Sequence, residues 1–415
     1  MNQNAHRVVI VGAGQAGGEA ALRLRQAGYA GDITLIGEEP LAPYQRPPLS
    51  KKYLSGEWGT DRLLLRDPSA YAAEGIKLLT NTKVTWIDRA KRIVRLENLR
   101  DVPYENLILA TGSRARSLPL AGADLEGVHL LRTAQDVDAI RAGLAPGASV
   151  VVIGAGYIGL ETAAVLRQLG HEVTVLEAQD RPLSRVTSPE VSAFFLHEHA
   201  AKGVKFRLGA LAAVITGTDR VTGVSLVDGD HIAADLVIAG VGILPETKLA
   251  ESIGLEVKDG ILTDATCRTS DTAIFAIGDC ARRPIHFCGV GMARLESVHN
   301  ALEGAKIAAA TISGTAHPAE EVPWFWSDQY DLKLQIAGLF QGYDHLVVRG
   351  NPADRAFAAF YFKGAHLIAV DAINRPAEFL GAKQLIQRAQ TVAPAALEDM
   401  STPMKEIIAK AQLAG

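Results

Sequence analysis

The sequence predicts an α/β chain: two units, each built on a parallel sheet, followed by a smaller α+β region at the carboxy end. Three observations predict it. A short apolar run breaks into a glycine pattern at residues 8–17, the arrangement recurs at 150–159, and from Val322 onward short apolar segments lead into one helical stretch. The 415 residues suffice for two or three domains with buried cores.

Val8-Val9-Ile10-Val11 reads as a strand buried on both faces, because four consecutive apolar residues bounded by glycine suit the inside of a parallel sheet. Gly12, Gly14 and Gly17 then open a helix over 16–27, stopped by Gly28. Gly12 permits the tight turn, Gly14 lets the backbone approach a pyrophosphate, and Gly17 lets the helix pack on the strand. The helix amino terminus offers N–H groups to phosphates. Ile33-Thr34-Leu35-Ile36 is the second strand. Glu38 at its end is the carboxylate expected at an adenosine ribose, with Glu39 as its solvated neighbour.

The proline-stiffened loop 43–51 carries Arg46 and Lys51. It is either a rigid surface connection or a segment that holds two cations over a ligand beginning at Gly12. Segments 83–88 and 92–96 read as short antiparallel strands. Residues 107–112 read as a buried strand that returns to the first sheet and ends in a Thr-Gly turn.

Val150-Val151-Val152-Ile153 and Gly154, Gly156 and Gly159 repeat the opening arrangement, with Gly170 ending the helix and Glu177 ending the next strand. Two complete fingerprints, each followed by an acid, predict two bound dinucleotides. Glu177 would meet a ribose 2′-hydroxyl and repel a 2′-phosphate, which predicts NADH over NADPH; Arg181, four residues on, weakens that preference. The first fingerprint, tied to distant segments, is assigned to FAD. Segment 272–279 is an apolar strand ending in Gly278-Asp279, an ordinary turn or an Asp placed to hold a polyhydroxyl chain such as ribitol. At 238–245, which includes Gly242, the chain leaves the second unit for the first. The expected domains are therefore FAD-binding at 1–115 and 246–321, NADH-binding at 116–245, and α+β at 322–415. In the last, strands at 332–337, 346–348, 356–362 and 367–370 precede a helix at 376–388. Trp324 and Trp326 serve either domain packing or the flavin environment.

The formal net charge of −4 gives no reason to expect nucleic acid or an anionic membrane as partner. No stretch has the apolar length of a membrane helix, and residues 1–7 are too short and polar for a secretory signal, so a cytoplasmic protein is expected. Cys267, Cys280 and Cys288 fit neither a disulfide framework nor a metal site and read as reduced thiols, with no metal expected.

Together, the paired fingerprints, the Ala110-Thr111-Gly112 turn, Gly278-Asp279 and the last domain resemble the glutathione-reductase-like flavoproteins, with two Rossmann-like dinucleotide-binding domains plus a C-terminal α+β domain. The stretches Arg46-Pro47-Pro48-Leu49-Ser50-Lys51, Gly159-Leu160-Glu161 and Pro323-Trp324-Phe325-Trp326-Ser327-Asp328-Gln329 are similar to the NADH-dependent ferredoxin reductases of bacterial oxygenase systems. Disulfide reductases of the wider superfamily keep a redox-active cysteine pair after the first acidic strand end. Here residues 41–53 contain none, so flavin electrons need an external carrier.

The resemblance implies that Ala16, Glu38, Lys51, Val84, Arg132, Asp279 and Val298 contact FAD, with Arg46 and Trp326 as neighbours beside Gly12, Gly14 and Gly17. Gly154, Gly156, Ile158, Gly159, Glu177 and Gly242 go to NADH. A cation such as Lys51 stabilises negative charge on a reduced flavin ring. Glu161 either complements its helix dipole or, as the resemblance implies, pairs with Lys51 as the catalytic pair. The implied acceptor is a 2Fe-2S ferredoxin, docking on a local basic surface to which Arg282, Arg283 and Arg294 are candidate contributors, and the implied state is a monomer or weak homodimer. The alternatives are a rubredoxin reductase or NADH oxidase of the same fold, or a flavoprotein interaction module without turnover.

Overall fold

The structure, a computed structural model, describes residues 6–289 and 291–414. The side chain of Cys288 lies outside the described residues. Two compact units emerge, one from residues 1–46, 60–114 and 244–323, the other from 47–59, 115–243 and 324–415.

In the first unit a five-stranded parallel sheet runs in the order Ile274–Ala276, Asn106–Leu109, Arg7–Val11, Asp32–Ile36, Ile76–Leu79. The period of two in a strand splits its apolar run between two cores. Val8 and Ile10 face Ala20, Ala21, Ala305 and Ala308 of helices Gln15–Gln26 and Val298–Ser313. Val9 and Val11 join the cluster of Val84, Ile87, Val94 and Leu96 from the antiparallel strands Val84–Asp88 and Ile93–Leu96. A third strand, Asp101–Pro103, extends that sheet. Ile274–Ala276 joins the parallel sheet from far along the chain, which makes this unit discontinuous.

The second unit repeats the parallel sheet in the order Lys205–Leu208, Glu172–Glu177, Ser149–Ile153, Leu236–Ala239, Val128–Leu130. It also holds a five-stranded antiparallel sheet in the order Trp324–Gln329, Leu332–Gly338, His366–Ile373, Ala356–Lys363, His345–Asn351. Helix Pro376–Gln387 follows, then the short helix Pro394–Glu398 and helix Met404–Ala414. Arg349, buried in the last strand of that sheet, reaches Glu378 at 3.3 Å and donates to the carbonyls of Leu397, Asp399 and Thr402. A single guanidinium thus anchors the chain's end. Segment 47–59, grouped by the sequence boundaries with the first unit, packs with the second, where Tyr53 donates to Asp138 at 2.8 Å.

Candidate functional site

In the first unit Gly12 adopts φ +110°, and a Cβ there would strike the carbonyl of Ala110. A Cβ on Gly17 would strike the carbonyl of Gly12, so both glycines are forced by packing. Gly14 differs: a Cβ there would meet nothing within 4 Å. Gly14 caps helix Gln15–Gln26 without any side-chain bond to its amino-terminal N–H groups. By contrast Thr133, Ser188 and Ser297 cap their helices with a side-chain oxygen. An open, uncapped helix start is the cradle a pyrophosphate fills.

Gly154, Gly156 and Gly159 reproduce this in the second unit. Gly154 has φ +103° against the Gly240 carbonyl, a Cβ on Gly159 would strike the Gly154 carbonyl, and Gly156 is open and uncapped. Glu177 closes the turn from below: Oε2 accepts from the Ala155 N–H at 2.7 Å and Oε1 from the Gln179 N–H at 2.9 Å. Arg181 donates to the carbonyls of Ser184, Thr187 and Ser188 and is thereby committed to its own loop. Ile158 is exposed on the first helical turn, and Gly242, at φ +98°, accepts at its carbonyl from the Arg116 N–H.

The remaining first-unit candidates gather round the same strand ends. Asp279 follows Gly278, whose φ of +72° sets it against Ala16, and accepts from Ser113 Oγ at 2.9 Å. Asn300 holds that turn through the carbonyls of Gly278 and Leu295. Val298 opens the adjoining helix after the Ser297 cap. Val84 is buried among the apolar side chains of the antiparallel sheet. Glu38 is exposed and pairs with Lys83 at 2.7 Å.

Glu39 is not the solvated neighbour expected: half-buried, it accepts from Arg46 at 2.6 Å and from Tyr44 at 2.5 Å, because the loop folds back over the strand end. The expected arginine contributors also change. Arg283 is buried against Asn300, Arg282 pairs with Asp259, and Arg294, only 11% exposed, pairs with Asp259 and Glu296.

In the second unit Lys51 Nζ lies 2.7 Å from Glu161 Oε2, the two side chains being 16% and 2% exposed. The same oxygen accepts from Ser50 Oγ at 2.5 Å, and Oε1 accepts from Ser327 Oγ at 2.6 Å. Both oxygens of this buried carboxylate therefore have hydrogen-bond or ionic partners. Glu161 therefore does more than complement the dipole of helix Tyr157–Gln168. Sequence reasoning missed Ser50 and Ser327; the first is in the loop already singled out, and the second is one residue past Trp326. Trp326 packs against Trp324 with ring centroids 5.5 Å apart, and the Arg132 N–H donates to Asp136.

Comparison with protein families matches residues 6–305 to the pyridine nucleotide-disulphide oxidoreductase model and 324–408 to the reductase C-terminal model. The chain belongs to the pyridine nucleotide-disulphide oxidoreductases. Within this family it is 45% identical to putidaredoxin reductase CamA of Pseudomonas putida, over 99% of each chain. It is also 45% identical to the probable ferredoxin reductase CtmF of Castellaniella defragrans, over 99% of this chain and all of that one. A solved structure, the covalent putidaredoxin reductase–putidaredoxin complex, superposes with a TM-score of 0.96 at 44% identity, covering 99% of this chain and 100% of that one. Despite the family's name, no cysteine stands at 41–53. Cys267 and Cys280 are free and buried, and burial raises both thiols, Cys267 to about 12. Among the described residues no helix is long and apolar enough to cross a membrane.

Proposed function

We propose that this protein is an NADH-dependent ferredoxin reductase that carries FAD and passes single electrons to a 2Fe-2S ferredoxin serving an oxygenase, in the cytoplasm. The carrying observation is a pair of open, uncapped glycine cradles in a chain with no cysteine at 41–53. FAD, when bound, supplies the conversion of a two-electron donor into two one-electron deliveries.

The chain's own residues bind, orient and balance charge. Gly14 and Ala16 would receive the FAD pyrophosphate on the turn that Gly12 and Gly17 shape, Glu38 its ribose and Asp279 its polyhydroxyl chain, while Arg46, Val84, Arg132, Val298 and Trp326 would complete the contacts. Gly154, Gly156, Ile158, Gly159 and Gly242 receive NADH, with Glu177 at its ribose. Lys51 would supply positive charge beside the flavin ring, and Glu161, paired with it at 2.7 Å, would hold Lys51 until NADH binds. These assignments are supported by the open cradles and by the Lys51–Glu161 pair. The domain limits proposed are 1–115 with 246–321 for FAD, apart from segment 47–59, which packs with the second unit, 116–245 for NADH, and 322–415.

The test is a stopped-flow comparison in which the NADH-reduced protein is mixed with a 2Fe-2S ferredoxin, a rubredoxin, or aerated buffer. Ferredoxin should be reduced fastest, at a rate that falls with ionic strength. Faster transfer to rubredoxin or oxygen would replace this reading with a rubredoxin reductase or an oxidase. A long-lived NADH complex without turnover would replace it with an interaction module.

A further inference from the structure

The Glu161 carboxylate stands at the end of a directional string of hydrogen bonds. Strand Trp324–Gln329 puts Ser327 and Gln329 on one buried face, two residues apart. Ser327 Oγ donates to Glu161 Oε1 and accepts from Gln329 Nε2 at 3.2 Å. Gln329 Oε1 lies 2.8 Å from Nε2 of His199, on helix Pro189–Ala201, and His199 Nδ1 lies 3.3 Å from the Tyr330 hydroxyl. Burial lowers the His199 pKa to about 4, so at neutral pH one ring nitrogen donates and the other accepts. The only self-consistent assignment runs Tyr330 to His199 to Gln329 to Ser327 to Glu161, every donor pointing toward the carboxylate. A carboxamide in the middle makes this a scaffold rather than a proton wire.

We infer that Ser327, oriented by Gln329 and His199, is a positioning residue that keeps Glu161 in place when Lys51 is drawn off it. The inference rests on the proposed role of the Lys51–Glu161 pair. Without Lys51, Oε2 retains Ser50 and Oε1 retains Ser327, so the anion stays satisfied at both oxygens. Only the lysine moves. Without Ser327 the carboxylate is held on one side alone and follows the lysine, so that the pair fails to part cleanly.

The experiment is single-turnover flavin reduction by NADH in the FAD-loaded protein for Ser327→Ala, Ser327→Thr, Gln329→Leu and Glu161→Gln. Ser327→Ala should lower the limiting reduction rate about ten-fold while leaving the NADH dissociation constant little changed. Ser327→Thr, which keeps the hydroxyl, should restore the rate. Gln329→Leu should act in the same direction from one bond further away, and it serves as the independent variant if Ser327→Ala folds poorly. A wild-type rate in both Ser327→Ala and Gln329→Leu, with Glu161→Gln slow, overturns the positioning role and leaves the pair's role standing. A wild-type rate in Glu161→Gln overturns the pair's role and this inference with it.

Discussion

Glu177 reaches back from the end of its strand to accept a hydrogen bond from the backbone N–H of Ala155, at 2.7 Å, inside the second glycine turn. The negative charge is thus fixed at the turn rather than waving in solvent. Arg181 is occupied by three carbonyls and is not turned toward a 2′-phosphate, which leaves Arg185 as the exposed arginine of that loop. Glu177→Ala should weaken NADH use and cut the NADH-over-NADPH ratio of kcat/KM about ten-fold. Steady-state assays with both nucleotides measure this; an unchanged ratio would remove Glu177 from the specificity argument.

The two cradles can be disabled separately. Gly14→Val fills open space, so the chain should fold but purify without yellow colour. Gly156→Val should give a yellow protein that NADH fails to bleach. Gly17→Ala and Gly159→Ala, which collide with carbonyl oxygens, should instead lower the yield of folded protein. If Gly156→Val lost the flavin and Gly14→Val kept it, the two dinucleotide assignments would have to be exchanged.

Two buried groups in the second unit give opposing pH dependences. Burial pushes the Asp371 carboxyl, held by Thr187 and Tyr361, up to about 6, so the stability it confers in acid is lost as pH rises from about 4 through 6. Burial lowers His199 to about 4, so its contribution runs the other way, stability falling as pH drops from about 6.5 to 4. The two contributions have opposite signs and overlap between about pH 4 and 6 in the native chain. Asp371→Asn should therefore steepen the acid loss of unfolding free energy over that window, and His199→Gln should make it shallower. Denaturant titrations at stepped pH provide the check, and profiles parallel to wild type would refute the account.

Removing the guanidinium that anchors the chain's end should be costly. Arg349→Met leaves Glu378 buried with only Arg375, 3.9 Å away, as a cation and frees three carbonyls. The expected loss is about 3–5 kcal/mol. Hydrogen exchange should show helix Met404–Ala414 opening first. Uniform exchange across this unit would mean that the helix is held by its apolar face alone.

What the sequence disclosed was local. Glycine spacing, apolar runs of strand length and acids at strand ends are visible within thirty residues, and both parallel sheets, both cradles and the antiparallel strands of the last domain follow from them. The environment of Glu161 was not visible in that way, because Ser50 and Ser327 lie 111 and 166 positions from it and His199 lies 130 from Gln329. Hydroxyls and amides carry no periodic signal. Glu39 and Arg283 were misjudged for a related reason: charge suggests solvent until a partner such as Arg46 or Asn300 is known to be there. The two final helices are short, and their anchor is a side chain from a distant strand.

Strand Ile274–Ala276 is the outermost member of the first parallel sheet, where its partner is Asn106–Leu109, and its other side bonds to residues 267–269. During synthesis Asn106–Leu109 leaves the ribosome early and must wait, its hydrogen-bonding edge bare, until most of the second unit has been translated. An exposed apolar edge of that kind invites pairing with other nascent chains. The discontinuity that ties the proposed flavin unit together therefore sets the period of greatest exposure to aggregation, and makes yield depend on how quickly translation reaches Ala276.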